Sequence, residues 1–448
     1  MTNLSKSQPL ATHYRWTMMG MVFLIVAINY LDRANLGVAE PLITHALKFS
    51  PLQMGVIFSA TVWGLFLGEL PGGIMASVWG PRKLYTVAIV GWSLFMVLPL
   101  LTTSYIAWIW LRVGFGFFEG MTWGIASMVG VRWFPTKERG KAMALQNVGL
   151  AVGSAIGAPL ITLLMLTLSW QWAFIIIAAL GLVWAMFWWH FARDFPGETP
   201  RANAIETEFI LSDGSAAVRK ERMNAREVWT TLARVVKKPS LWALAVANWT
   251  LAYFLFTLVS WLPAYLHTAR GLSLPKTGLA AALPWILACA AIPLGGWLTD
   301  RLLARWKNYR WARTVPTSGG LLVGGILLFP AIFVHSVALG VILLSISFAV
   351  VLMQLGPIWT IPTDVGGPSG AGVAAGFANM VIQTGGIIAP LLMGYLIQTT
   401  HSYLPGFEIT GVIVVVAAFL FPVLYRGPKD FFEGHPSRQS PVTESHIA

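Results

Sequence analysis

Twelve apolar runs, each close to or above the ~20 residues a helix needs to cross ~30 Å of hydrocarbon, leave this chain few ways to fold. They lie at 16–38, 53–76, 84–103, 105–131, 142–166, 170–192, 241–267, 277–300, 314–335, 337–361, 369–397 and 407–425. In lipid every backbone N–H and C=O must find its partner inside the protein, which leaves only helices and closed barrels. The runs are continuous instead of alternating, so they predict helices. With 56% of residues hydrophobic and only 11% charged, and a mean hydropathy of +0.68, the composition is far from that of a soluble domain. The expected fold class is an all-α polytopic membrane protein.

The basic residues orient it. Of the 30 lysines and arginines, only Lys48, Arg270 and Lys276 fall in loops on one side, while Arg33 and Arg112 fall within runs. All others collect on the opposite side. The positive-inside rule therefore places both termini in the cytoplasm, in a multi-pass protein of the inner (cytoplasmic) membrane. Basic loops against anionic headgroups account for the net charge of +12 without a nucleic-acid partner. The first run is long enough to span and shows no small-residue cleavage site, so it is expected to remain as the first helix. The single cysteine, Cys289, lies within a run and reads as a packing residue.

The polar stretch 193–240 divides the chain. The expected organisation is a cytoplasmic N-terminus (1–15), a six-helix bundle (16–192), a cytoplasmic linker (193–240), a second six-helix bundle (241–425) and a cytoplasmic tail (426–448). The halves echo one another. Pro71-Gly72-Gly73 closes the second run and Leu294-Gly295-Gly296 the eighth; Asn147 to Pro159 in the fifth run matches Asn379 to Pro390 in the eleventh. Such repeats are the trace of a transporter built from two pseudo-symmetric bundles around a midplane site.

Within the first run stands Tyr30-Leu31-Asp32-Arg33-Ala34-Asn35, and in the fourth Arg112 precedes Glu119 by seven residues. A charge at membrane depth costs at least ~2.5 to 3.5 kcal/mol, so such residues face a bundle interior or a wet cavity and mark a pathway. Successive helical residues point about 100° apart, so Asp32 and Arg33 diverge while Tyr30 and Arg33, at i, i+3, share a face. Arg112 and Glu119 are separated by roughly 10 Å along their helix. A guanidinium holds a carboxylate through two parallel hydrogen bonds, which makes Arg33 and Arg112 candidate anion ligands with Tyr30. Burial favours the protonated acid and a neighbouring guanidinium the ionised one. Competition between a bound anion and Asp32 or Glu119 for the arginines would couple protons to substrate. Intramembrane salt bridges that only hold helices together are the competing reading.

These residues carry a resemblance. Gly73-Ile-Met-Ala-Ser-Val-Trp-Gly80-Pro-Arg82-Lys83 approximates the loop motif of the major facilitator superfamily, with Ser77 where an acid is usual; Asp300 and Arg301 keep the second copy. Asn29 to Asn35, Arg112 to Gly120, and Trp133-Phe134-Pro135 with Glu138-Arg139 resemble the anion:cation symporter family. The resemblance implies the two-bundle fold and uptake of sugar acids or other organic anions with protons. It also implies that Trp359 and Asn379 lie where the second bundle closes over substrate. Gln383, one turn after Asn379, can offer further hydrogen bonds, and Gln354, Thr360 and Asn147 are additional polar candidates. Each is as readily an interhelical packing residue. Compared with relatives, Leu65 replaces a tyrosine and Glu69 a glutamine, which weakens the inference to a polyhydroxylated sugar acid. Glu69 either joins the site or pairs with bases at the cytoplasmic mouth.

Gly149, Gly153 and Gly157 form a small-xxx-small series, and Gly385 and Gly386 are expected to break the eleventh helix, allowing close helix contact or bending; simple tight packing explains the same residues equally well. Charges at Arg82, Lys83, Asp300, Arg301, Glu138 and Arg139 either latch one conformation or serve only topology. No HExxH, GxSxG or phosphate-binding glycine loop occurs, so neither an enzyme nor an ATP-driven pump is indicated. The expectation is a monomeric importer of a small organic anion by proton symport, needing no cofactor or metal. Uniport, exchange, export and a non-transporting anion sensor are the alternatives.

Overall fold

The computed structural model describes residues 12–212, 229–230, 232–234, 236–358 and 361–427, among which there is no strand. The helices are α1 (Tyr14–Leu47), α2 (Pro51–Trp79), α3 (Pro81–Val97), α4 (Tyr105–Gly120), α5 (Thr122–Trp133), α6 (Thr136–Thr167) and α7 (Trp170–Phe191). A short α8 (Ala204–Leu211) precedes α9 (Pro239–Ala264), α10 (Leu274–Trp306), α11 (Tyr309–Phe333), α12 (Val337–Leu352), α13 (Leu355–Ile358), α14 (Ile361–Thr400) and α15 (Leu404–Leu424).

Local chemistry sets many of the boundaries. Ser50 and Gln53 form a reciprocal capping box at the start of α2, with Pro51 at its first position. Ser104, Ser169 and Ser336 accept backbone N–H bonds in the first turns of α4, α7 and α12. Lys48 and Lys307 end α1 and α10 in left-handed conformation.

Among the described residues, eleven helical stretches are long and apolar enough to cross a membrane. The expected fourth span is divided at Met121 into α4 and α5, each shorter than a full crossing. The expected break at Gly385 and Gly386 is absent, since α14 runs unbroken from Ile361 to Thr400. A side chain at Gly385 would stand 2.5 Å from the Trp249 carbonyl of α9, so close packing is what that glycine provides.

Helix pairing repeats between the halves. α1 packs on α6 as α9 packs on α14; α2 on α4 as α10 on α12; α3 on α7 as α11 on α15. Between the halves, α2 meets α14, α6 meets α10 and α1 meets α9. This is an architecture of two pseudo-symmetric helix bundles, as the sequence repeats led one to expect.

Away from Tyr14, the halves touch backbone to backbone. An added Cβ at Gly37 would lie 2.5 Å from the Val259 carbonyl; one at Gly55, 2.7 Å from that of Pro390; one at Gly394, 2.5 Å from that of Pro51. Leu52 N–H donates to Gln398 Oε1 at 3.3 Å, and Ser59 Oγ to the Ile387 carbonyl at 2.7 Å. At the Tyr14 end, the ion pairs Arg15–Glu138 at 2.9 Å and Arg15–Glu206 at 2.8 Å lie within the first half and the start of the linker. Glu206 also accepts from the Tyr14 and Arg15 amides at 2.9 and 3.1 Å, placing a carboxylate on the positive end of α1. Glu138 thus serves the first half's own packing.

Replacing Gly55 by Val should wedge the seam open. A Ser59→Cys probe in a Cys289→Ser background is expected to react several-fold faster with a water-soluble maleimide once Gly55 is replaced; an unchanged rate would show that the seam tolerates the side chain.

Candidate functional site

Arg33 of α1 donates from Nε to Glu119 Oε1 of α4 at 2.7 Å. The Glu119 side chain is fully buried, and its Oε2 has no hydrogen-bond partner in the protein. The guanidinium also sits 4.5 Å from the centre of the Tyr30 ring, the i, i+3 neighbour, so a carboxylate and a π-face hold it together.

From Tyr30 an aromatic cluster crosses to the second half. Its ring stands edge-on to Trp123 of α5 and to Trp285 of α10, each at 6.4 Å, and Trp285 meets Phe348 of α12 at 4.8 Å. A cavity of about 40 Å³ lies here between the halves, with Tyr30, Arg33, Ser154, Phe256, Trp285 and Phe348 in its wall. That is room for roughly three waters, so a larger solute needs the halves to part. Trp285 and Phe348 escaped the sequence reading. Their signal was position: an aromatic in mid-helix, far from the interfacial belts where tryptophan ordinarily anchors.

Asp32 points away from this cavity, as its offset of about 100° from Arg33 requires. It is 1% exposed, its Oδ1 is unpaired, and it lies within electrostatic reach of Glu119, Arg33 and Arg112. Arg112 is likewise 1% exposed. The rings of Trp108, Phe115 and Phe174 surround its guanidinium at 5.8, 5.3 and 5.4 Å, and it is not part of the cavity wall. The two arginines therefore occupy different places, Arg33 between the halves and Arg112 inside the first.

Glu69 of α2 accepts from Gln383 Nε2 of α14 at 3.1 Å. This joins the halves, and the base whose charge reaches Glu69 is Arg33 of the neighbouring α1. Asn379 stands one turn before Gln383 on α14. Asn147 bonds its own helix, donating to the Met143 carbonyl at 3.1 Å. Gln354 is fully buried with both amide atoms unpaired. Trp359 and Thr360 lie outside the described residues.

Removing one partner of a buried ion pair strands the other charge, at a cost of about 3–5 kcal/mol. Arg33→Gln and Glu119→Gln should each lower the thermal unfolding midpoint in detergent more than the double substitution does. Additive losses would mean that the pair is not energetically coupled.

Residues 22–390 match the model of the Major Facilitator Superfamily. The chain is 31% identical to a probable sulfoacetate transporter, SauU, of Cupriavidus necator, over 92% of this chain and 94% of that protein. It is 28% identical to a hexuronate transporter of Bacillus subtilis, covering 89% and 91%, and 28% identical to a D-galactonate transporter of Escherichia coli O6:H1, covering 92% and 95%. Among solved structures, a bacterial homolog to the human lysosomal transporter Spinster, inward-facing and occupied, superposes with a TM-score of 0.73 at 18% identity, over 93% of this chain and 98% of that one. That likeness is one of fold. The protein belongs to the Major Facilitator Superfamily and is a multi-pass membrane transporter, not an enzyme.

Proposed function

We propose that this transporter carries a small organic anion inward together with protons, by rocking of its two halves about Arg33. The observation that carries the reading is the Arg33–Glu119 pair at 2.7 Å, set against a cavity between the halves. Its relatives named for sulfoacetate, hexuronate and galactonate support the anion.

A guanidinium engaged by Glu119 is only partly free for a substrate carboxylate. A proton on Glu119, whose Oε2 is the unpaired oxygen, removes the competing charge and releases Arg33 to bind the anion through parallel hydrogen bonds. When the anion leaves, Arg33 again favours the ionised acid, the proton departs and the pair re-forms. Proton and anion thus each raise the affinity for the other, as linkage requires. Asp32 carries a second proton, with Arg112 as the charge that senses it from inside the first half. Asn379 and Gln383 complete the substrate's hydrogen bonds from α14.

The asymmetry of basic residues supports cytoplasmic termini and an inner-membrane location. The glycine seam then faces outward and seals that side. Because the cavity lies between two halves of one chain, a monomer suffices.

The test is substrate-induced proton movement in proteoliposomes across aldonates, hexuronates, aldarates, sulfonates and aromatic carboxylates. Proton flux in step with one anion is expected. Anion movement without protons would shift the mechanism to uniport or exchange. Arg33→Gln should weaken anion binding by roughly 30-fold or more. Glu119→Gln should leave binding independent of pH and abolish coupled proton movement; retained coupling would remove Glu119 from the proton path.

A further inference from the structure

We infer that Glu69 is a charge filter, confining this transporter to monocarboxylates and turning dianions away. The inference rests on the reading that Arg33 receives the carboxylate of an organic anion.

Around Arg33 the described charges are unbalanced. Arg33 is close enough to both Glu119 and Glu69 for their charges to act on it, and Glu69 also acts on Tyr30. One guanidinium is thus set against two acids. Protonation of Glu119 frees Arg33 for one substrate carboxylate. A second carboxylate on the same substrate would need a second cation, and Arg112, the other arginine within the apolar runs, is enclosed by the rings of Trp108, Phe115 and Phe174 inside the first half. What stands at the seam instead is Glu69, half-buried and fixed from the other half by Gln383 at 3.1 Å, and the base whose charge reaches it is Arg33, already engaged by Glu119.

Its surroundings strengthen the effect. Val62, Leu65 and Ile387 form a buried apolar cluster with Phe256 packed against it, along the same α2–α14 seam. Apolar walls reduce screening, and two like charges roughly 7–10 Å apart at an effective dielectric near 20 repel by the equivalent of about fifteen- to fiftyfold in binding. Specificity built on repulsion needs one such element, and here it is a single carboxylate. The hydrogen bond from Gln383 holds that carboxylate in place, so it cannot swing out of range.

Matched probes test this. Gluconate against glucarate and benzoate against phthalate each differ by one carboxylate on a similar body. Their binding to purified wild type, Glu69→Gln and Ser59→Ala is measured by titration calorimetry at one pH. Ser59→Ala loosens the same seam without changing charge, since it removes the bond to the Ile387 carbonyl at 2.7 Å. Wild type should prefer the monoanion of a pair. Glu69→Gln should shrink that preference at least tenfold, chiefly by gaining the dianion, while Ser59→Ala leaves it as it was. A wild type that binds the dianion equally well, an unmoved ratio in Glu69→Gln, or an equal shift in Ser59→Ala each overturns the proposal. So does loss of monoanion binding in Glu69→Gln, because deleting a repulsive charge cannot weaken the favoured ligand. If no probe binds wild type or variant, and Arg33→Gln changes uptake of nothing in the wider panel, the anion reading itself fails.

Discussion

A guanidinium cannot shed its charge, and lipid cannot solvate it. Much of the first half can be understood from how it accommodates two such groups. Arg33 is met by Glu119 on a neighbouring helix and by the face of Tyr30 on its own, which fixes α1 against α4 at mid-depth. Arg112 is wrapped in aromatic rings with an acid, Asp32, within electrostatic reach. The settings differ: Arg33 lines the cavity between the halves, whereas Arg112 is enclosed within the first half.

Much of this architecture was legible in the residues. Each apolar run carries its own evidence for a helix, and the Asn147–Pro159 and Asn379–Pro390 echoes announce a repeated unit. The shared face of Tyr30 and Arg33 follows from helical geometry alone. Partnerships between helices were not legible. Arg33 and Glu119 are 86 positions apart and Glu69 and Gln383 are 314 apart, and no periodicity reports which faces meet over such distances. The glycine pair at 385 and 386 left two readings open for a related reason. Glycine permits both bending and close approach, and only the neighbouring Trp249 backbone decides between them. The sequence places Arg33 and Arg112 both within apolar runs, but which of them faces the space between the halves depends on helix contacts that it does not report.

The linker belongs partly to the first half. Glu206 satisfies the exposed amides at the start of α1 and pairs with Arg15, which in turn holds Glu138. Three separate segments of chain are thereby tied at one corner, so the first half is braced at the end where its helices would otherwise fray.

The seam at the opposite end is made differently. Where Gly37, Gly55 and Gly394 lie against the carbonyls of Val259, Pro390 and Pro51, the surfaces are bare backbone and nothing interlocks. Parting such surfaces requires no side chain to leave a socket or change rotamer, and re-joining them demands no re-meshing. Among the described residues, side-chain contact across the seam comes from the rings of Phe58 and Trp261, the cluster of Val62, Leu65, Ile387 and Phe256, and a few hydrogen bonds. Such a seam is tight at its glycines and yet smooth there, so its closeness does not depend on meshed side chains.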